Sequence, residues 1–230
     1  MLKKQDHRVR VAASRREEMQ NTLLFSALVL ASNKSIHEID VEDIIEHAEV
    51  SRGSFYKYFP SVQALVTGLA GQLSRELAAE IDAMTQDIPD TACRLVTTAR
   101  LTMRLLVKVP LLGNFLIQLP WPSPSPELNI FKNINRAVEL GIKEGLFTKM
   151  PVSIGCNLLT GSMLGGIHSM LAKPPSTGYE NKVLYQTLIG LGLASQVADD
   201  LLKTPMPSLP SLPATGVLGK IATMTTQANR

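Results

Sequence analysis

Apolar residues recur along this chain at intervals of three and four, the period of an α-helix with one buried face. Met19, Leu23, Ala27 and Leu30, widened by Leu24, Leu28 and Ala31, mark a first helix over 14–32. Ser14-Arg-Arg-Glu17 precedes it with the spacing of a capping box, in which a hydroxyl and a carboxylate satisfy early amides. Asp40 opens a short second helix carrying Ile44, Ile45 and Ala48. Ser51 opens a very short third one, stopped by Pro60. Leu65, Leu69, Leu73, Leu77, Ile81 and Met84 then predict one long helix, capped by Ser61 and ended by Ile88-Pro-Asp90.

The rest of the chain reads the same way. Helices are predicted over 90–109, over a shorter piece between Pro110 and Pro120, and from Ser125-Pro126 to about Gly145. Two strongly apolar ones follow, over 151–172 and 180–203. No segment reads as a strand and there is no internal repeat, so the fold class is all-α. From Thr204 onward Pro, Ser, Thr and Ala dominate, and 204–230 is expected to be a tail, mobile or laid along the body.

Composition narrows the class. The 230 residues are 45% hydrophobic and 19% charged, enough for a buried core and incompatible with wholesale disorder. Two cysteines, Cys93 and Cys156, make neither a disulfide framework nor a metal site. They read as small core residues in a reducing compartment, the alternative being a redox sensor. The net charge of +3 is unevenly spread: residues 1–88 hold 10 basic and 13 acidic residues, and the remainder holds 13 and 7. Bulk charge therefore does not advertise nucleic-acid binding; only a local arrangement does. Such an arrangement opens the chain, where Lys3, Lys4, Arg8, Arg10, Arg15 and Arg16 face a single acid, Asp6. This arm either tracks phosphates or merely solubilises.

Residues 150–172 contain no Asp, Glu, Lys or Arg, and Gly161 to Gly165 has a spacing known from packed membrane helices. Ser153, Asn157, Thr160, Ser162, His168 and Ser169 spread around that helix, however, and favour a soluble helix buried on several sides. No signal peptide is read at the N-terminus, and a cytoplasmic location is expected. Gly-rich phosphate loops, metal-spaced His or Cys clusters and a Gly-x-Ser-x-Gly elbow are lacking, so no enzyme and no cofactor are expected.

Three short helices, the last two joined by a tight turn, describe a helix-turn-helix. The run VEDIIEHAEVSRGSFYKYFPSVQALV over 41–66 resembles the DNA-binding region of TetR-family transcriptional regulators. Its matching residues are Val50-Ser51-Arg52-Gly53, Phe55-Tyr56, Tyr58-Phe59 and Leu65. The resemblance implies a reader domain over 1–60, a helical ligand-binding and dimerisation domain over 61–203, and the 204–230 tail. It also implies a homodimeric regulator, a repressor of a double-stranded DNA operator released by a small apolar or amphipathic ligand of unknown identity, with no membrane as partner.

Phe55 and Phe59, four apart, would anchor the third helix against Leu24, Leu28, Ile44, Ala48 and Val50. Ser51, Arg52, Gly53, Ser54, Tyr56, Lys57 and Tyr58 would face DNA, together with Arg15 and Arg16. Arg52 suits a guanine edge or a phosphate, and the family assigns the two tyrosines mostly to phosphates. Three departures stand out. Ile45 replaces a small residue and would spread the second and third helices. Glu49 replaces a glycine and would carry any left-handed turn at a cost of about 1 kcal/mol. Val62 replaces a lysine and removes a phosphate contact. The acids of the second helix are expected to face away from DNA.

By the same resemblance the last two long helices pair with a second copy through Gly161, Gly165, Gly166, Gly190 and Ala194, unless those glycines only fill the core of one protomer. The cavity walls are expected at Met103, Val107, Phe115, Trp121, Phe131, Asn135, Met163 and His168, with Arg100 and Arg104 either pairing with an acidic ligand or lying on a solvated face. Two alternatives from other classes are a helical ligand-binding or interaction dimer without DNA binding, and a membrane-associated helical protein.

Overall fold

The computed structural model describes residues 2–120, 129–173 and 177–228, with the side chains of 10–120, 132–173 and 177–227. Among these residues every regular element is an α-helix: α1 (Leu2–Leu30), α2 (Val41–Ala48), α3 (Arg52–Tyr58), α4 (Val62–Thr85), α5 (Thr91–Lys108), α6 (Pro110–Ile117), α7 (Asn129–Lys143), α8 (Val152–Ala172), α9 (Tyr179–Gly190), α10 (Ser195–Lys203) and α11 (Gly216–Ala228). None is long and apolar enough to cross a membrane. The chain forms two compact units, Met1–Leu73 with Leu212–Arg230, and Ser74–Ser211.

In the first unit, α1 packs on α2 and on α11, and α2 on α3. Leu23, Leu24, Leu28, Ile44, Phe55, Leu65, Leu69, Val217, Leu218 and Ile221 form its core, each 1% exposed or less. Two sequence expectations are corrected here. Helix α1 begins at residue 2 and runs through Ser14, so Ser14-Glu17 caps nothing. Residues 2–30 contain neither Gly nor Pro, and nothing interrupts helix propagation once it starts. The segment 204–230 is more than a tail: its last part is α11, and Lys220 Nζ lies 2.7 Å from Glu18 Oε1 of α1.

Helix α2 has the cap its sequence announces. Asp43 N–H donates to Asp40 Oδ1 at 2.9 Å, and Asp40 N–H donates back to Asp43 Oδ2 at 2.9 Å. The Asp40 amide, and then Lys34, hold the Asp43 carboxyl below its ordinary range. The helix ends with Glu49 at φ 54°, ψ 43°, while Val50 N–H donates to Ile45 carbonyl at 3.0 Å. That is the six-to-one bond of a Schellman ending. Ser61 caps α4 as expected, accepting from Ala64 N–H at 3.1 Å. Ala48 and Val50, placed in the core by the sequence reading, are half-buried.

The second unit is built around α5, against which α6, α7, α8, α9 and α10 all pack. Its apolar face buries Leu95, Val96, Ala99, Leu101, Met103, Leu105 and Leu106. Arg104 and Arg100 are not on a solvated face. Arg104 Nη2 pairs with the buried Glu180 of α9 at 2.7 Å, and the buried Arg100 donates from Nη1 to the Thr204 carbonyl at 2.8 Å. Burial, then the Arg104 charge, push the Arg100 guanidinium below its usual pKa.

The expected single helix over 180–203 is two helices. Gly192 takes φ 101°, and Leu193 N–H closes α9 onto the Leu188 carbonyl at 3.0 Å. A Cβ at Gly192 would also fall 1.9 Å from Thr148 Oγ1, so both backbone and packing demand glycine there. The helix start expected at Ser125-Pro126 lies outside the described residues.

Candidate nucleic-acid interface and ligand cavity

Two arrangements in this fold could do chemistry with a partner. One is the exposed side of α3; the other is a cavity beside α5.

Helix α3 is too short to be stable alone and is held by its ends and two aromatics. Ser51 Oγ accepts from Ser54 N–H at 3.2 Å. Phe55 is fully buried and Phe59 6% exposed, with ring centroids 6.4 Å apart. Tyr56 sets its ring edge-to-face on Phe55 at 5.3 Å and yet stays 50% exposed, leaving the phenol outward. Ser51, Arg52, Gly53 and Lys57 are exposed; Ser54 and Tyr58 are half-buried. A Cβ at Gly53 would meet only Ser51 Oγ, at 3.9 Å. The packing of the protein itself does not require glycine there, and the side it leaves bare faces outward. Arg15 and Arg16 are exposed on α1. They belong to a continuous helix, not to an arm that precedes one. The side chains of Lys3, Lys4 and Arg8 lie outside the described residues.

The acids of α2 do not all face away from this surface. Glu42 Oε1 lies 2.5 Å from Arg52 Nη2, with the two side chains 58% and 59% exposed. Asp43, by contrast, is occupied by Asp40 and by an ion pair with Lys34. Ile45 is half-buried and does not prevent α3 from seating Phe55 fully.

The cavity, of about 350 Å3, lies within the second unit between α4, α5, α7 and α8. Its buried walls are Leu77, Ile81, Leu95, Ala99, Thr102, Leu105, Leu106, Leu159 and Met163. Its exposed lining residues, Pro89, Arg94, Asn133 and Arg136, mark the mouth. Neither Arg94 nor Arg136 forms an ion pair with any described residue. The half-buried Asp82 accepts from Asn133 Nδ2 at 3.4 Å. Thr102 donates to the Thr98 carbonyl at 2.8 Å, so its oxygen is left to accept.

Of the expected cavity residues whose side chains are described, only Met163 lines it. Met103 and Phe115 are core residues with at most 1% exposure, and Val107 is half-buried elsewhere on α5. His168 is exposed on α8. Asn135 is exposed and accepts from Cys156 Sγ at 2.8 Å, and burial pushes that thiol up. Both cysteines are free. Trp121 and the side chain of Phe131 lie outside the described residues. The lining that sequence reasoning missed had one signal: Thr98 and Thr102 interrupt the α5 stripe that Leu95, Ala99, Leu105 and Leu106 otherwise make apolar.

The expected interface residues divide. Gly161 and Gly165 lie on the exposed side of α8, and a Cβ at either meets nothing within 4 Å. Gly166 is buried, its built Cβ 2.8 Å from Met103 Cε and 3.2 Å from Val183. It serves the protomer core. Gly190 and Ala194 are exposed, a Cβ at Gly190 falling 3.0 Å from Leu158.

Comparison with known proteins bears on the first of these arrangements. Residues 23–69, from within α1 into α4, match the family described as bacterial regulatory proteins, tetR family. An uncharacterised HTH-type transcriptional regulator of Mycobacterium tuberculosis (strain H37Rv) is 29% identical over 103 residues, 45% of this chain and 51% of that protein. The chain thus spans about half the length of the curated relatives it matches. Among solved structures, RolR in complex with resorcinol is similar over 86% of this chain and 100% of its own, at 22% identity and a TM-score of 0.67. A putative tetR family transcription regulator from Shewanella sp. PV-4 covers 76% and 99%, at 18% identity and a TM-score of 0.64. SmeT in complex with triclosan covers 83% and 100%, at 15% identity and 0.59. At these identities the structures speak for the fold. Residues 23–69, through the helix-turn-helix, thus match the tetR family of bacterial regulatory proteins, and the chain shares the fold of these solved structures.

Proposed function

We propose that this protein is a homodimeric, sequence-specific repressor that leaves its DNA operator when a small apolar or amphipathic ligand enters the cavity beside α5. The observation that carries the reading is α3 itself. Its buried side is spent on Phe55 and Phe59, and its outer side offers Arg52, Tyr56 and Lys57 with a bare backbone at Gly53. A short helix so presented suits the major groove. Tyr56 and Lys57 contact phosphates and set the register, and Arg52 reaches a base edge. A helix-turn-helix of this size reads one half-site, so a second copy supplies the other. The charge-free outer side of α8, with Ile154 55% exposed and Gly161 and Gly165 open, is the surface for that copy.

The cavity stands at the small end of the usual range for ligand sites, roughly 300–1,000 Å3. Its leucine walls take an apolar body, and Arg94 and Arg136 at the mouth suit an anionic or strongly accepting end. RolR and SmeT, of the same fold, have been solved with resorcinol and triclosan respectively. Ligand occupancy need favour the released state only by a coupling of about 1–3 kcal/mol. The cytoplasm, where the DNA lies, is the place of action.

The test is a gel shift of the full chain against the DNA upstream of its own gene, at several salt concentrations. The wild type shifts that DNA. Arg52→Ala and Tyr56→Ala weaken the shift while sedimenting as the wild type does, and Lys57→Ala, which loses a cationic phosphate contact, lowers the salt slope by about 1. No shift at low salt with any neighbouring intergenic DNA overturns the reading.

A further inference from the structure

We propose that Glu42 determines base specificity on the reading face by holding one edge of the Arg52 guanidinium, so that the opposite edge meets a base rather than a phosphate. The proposal rests on the DNA-binding reading above and concerns a residue which that reading leaves without a role.

The acids of α2 are not equivalent. Asp43 is consumed by the Asp40 amide and by Lys34. Glu46 and Glu49 make no ion pair among the described residues. Glu42 alone reaches α3, where its Oε1 meets Arg52 Nη2 at 2.5 Å. Folding does not explain this pair. Both side chains are more than half exposed, and ion pairs in that setting contribute little to stability. Its position is also costly for simple affinity, because a carboxylate beside the reading helix repels phosphates and cancels the charge of Arg52.

The chemistry of the guanidinium accounts for both facts. It is a rigid planar fork with five donors. Left free, it sweeps a wide volume and grips whichever phosphate is near, which carries no sequence information. With one Nη held by Glu42, the plane and direction of the fork are set, and its remaining donors point as one edge. That edge matches the O6 and N7 acceptors of guanine in the major groove. The same carboxylate penalises registers that would bring a phosphate there. Arg52 then buys discrimination at the expense of bulk affinity.

The experiment is selection of binding sites from a random duplex library by the full-length wild type, Glu42→Gln and Glu46→Gln, followed by titration of the selected and a scrambled duplex at several salt concentrations. The wild type selects a motif with a fixed guanine in each half-site. Glu42→Gln binds scrambled DNA more tightly, loses the preference at that position, and its ratio of selected to scrambled affinity falls about tenfold. Glu46→Gln, an exposed acid of the same helix without the pair, raises both affinities and keeps the ratio. Arg52→Lys, which keeps the charge but lacks the fork, loses the same base preference while still binding DNA. If Glu42→Gln raises both affinities equally, as Glu46→Gln does, Glu42 acts through charge alone and the proposal is overturned. If the wild type selects no motif at all, the DNA-binding reading fails first and this proposal falls with it.

Discussion

Glu49 is the one residue other than glycine that takes a positive φ among the described residues. It stands in the turn between α2 and α3, at the position of a Schellman ending where glycine is favoured because a Cβ crowds the following carbonyl. Two other helices, α7 and α9, end on the same bond pattern with Gly145 and Gly192 in the left-handed position. The chain therefore uses glycine for this ending elsewhere and carries strain at the turn of its helix-turn-helix. Glu49→Gly removes a left-handed cost of about 1–2 kcal/mol and adds back about 0.5–1 kcal/mol of unfolded-state entropy. The expected outcome is a stability gain of about 0.5–1 kcal/mol, read as a higher urea midpoint at unchanged slope. A lower midpoint would mean that the Glu49 side chain makes a compensating contact. This residue was legible in the sequence through the family pattern. The cavity lining was not, because an apolar residue on a helix reads alike whether it meets a neighbour, as Met103 does, or an empty space, as Leu105 does.

Helix ends and helix partners separate what periodicity can reveal from what it cannot. The capped helices α2, α3 and α4 start within a residue or so of where Asp40, Ser51 and Ser61 announce them, since a cap is a local bond between a side chain and an amide three residues on. Helix α11 had no such announcement. Gly216, Gly219, Thr223, Thr225 and Thr226 give it poor intrinsic propensity, and its stability comes from packing against α1. Val217, Leu218 and Ile221 are fully buried there, each worth about 1.5–3 kcal/mol of burial. Ending the chain at Ser211 should therefore loosen the first unit. Hydrogen exchange of the α1 amides is expected to speed up markedly, with the amides of α5 and α8 unchanged. Unaltered protection in α1 would show α11 to be dispensable.

At the scale of the whole molecule, the proposed homodimer turns on which face of α8 meets the second copy. Gly165 and Gly166 are neighbours in sequence but differ by a helical step in direction, and the structure leaves Gly165 open and buries Gly166. Gly165→Leu meets no atom of its own protomer and is expected to leave the melting of the isolated fold unchanged while converting the dimer to monomer in sedimentation. Gly166→Leu drives into Met103 and Val183 and is expected to destabilise the protomer itself, by about 1–3 kcal/mol or more. A Gly165→Leu protein that remains dimeric with unaltered operator affinity would move the interface off this face. The sequence by itself determined the helical class, the caps at Asp40, Ser51 and Ser61, the helix-turn-helix and the exposure of Arg52, Tyr56 and Lys57, all of which depend on neighbours within about one turn of helix. Only the tertiary structure decided that Glu42 pairs with Arg52, that α11 returns to α1, that Arg100 and Arg104 are bound inside the second unit, and which apolar face encloses the cavity. Those contacts join residues that lie up to about two hundred positions apart. Nothing local encodes them, because each depends on which helix the packing of the core sets alongside.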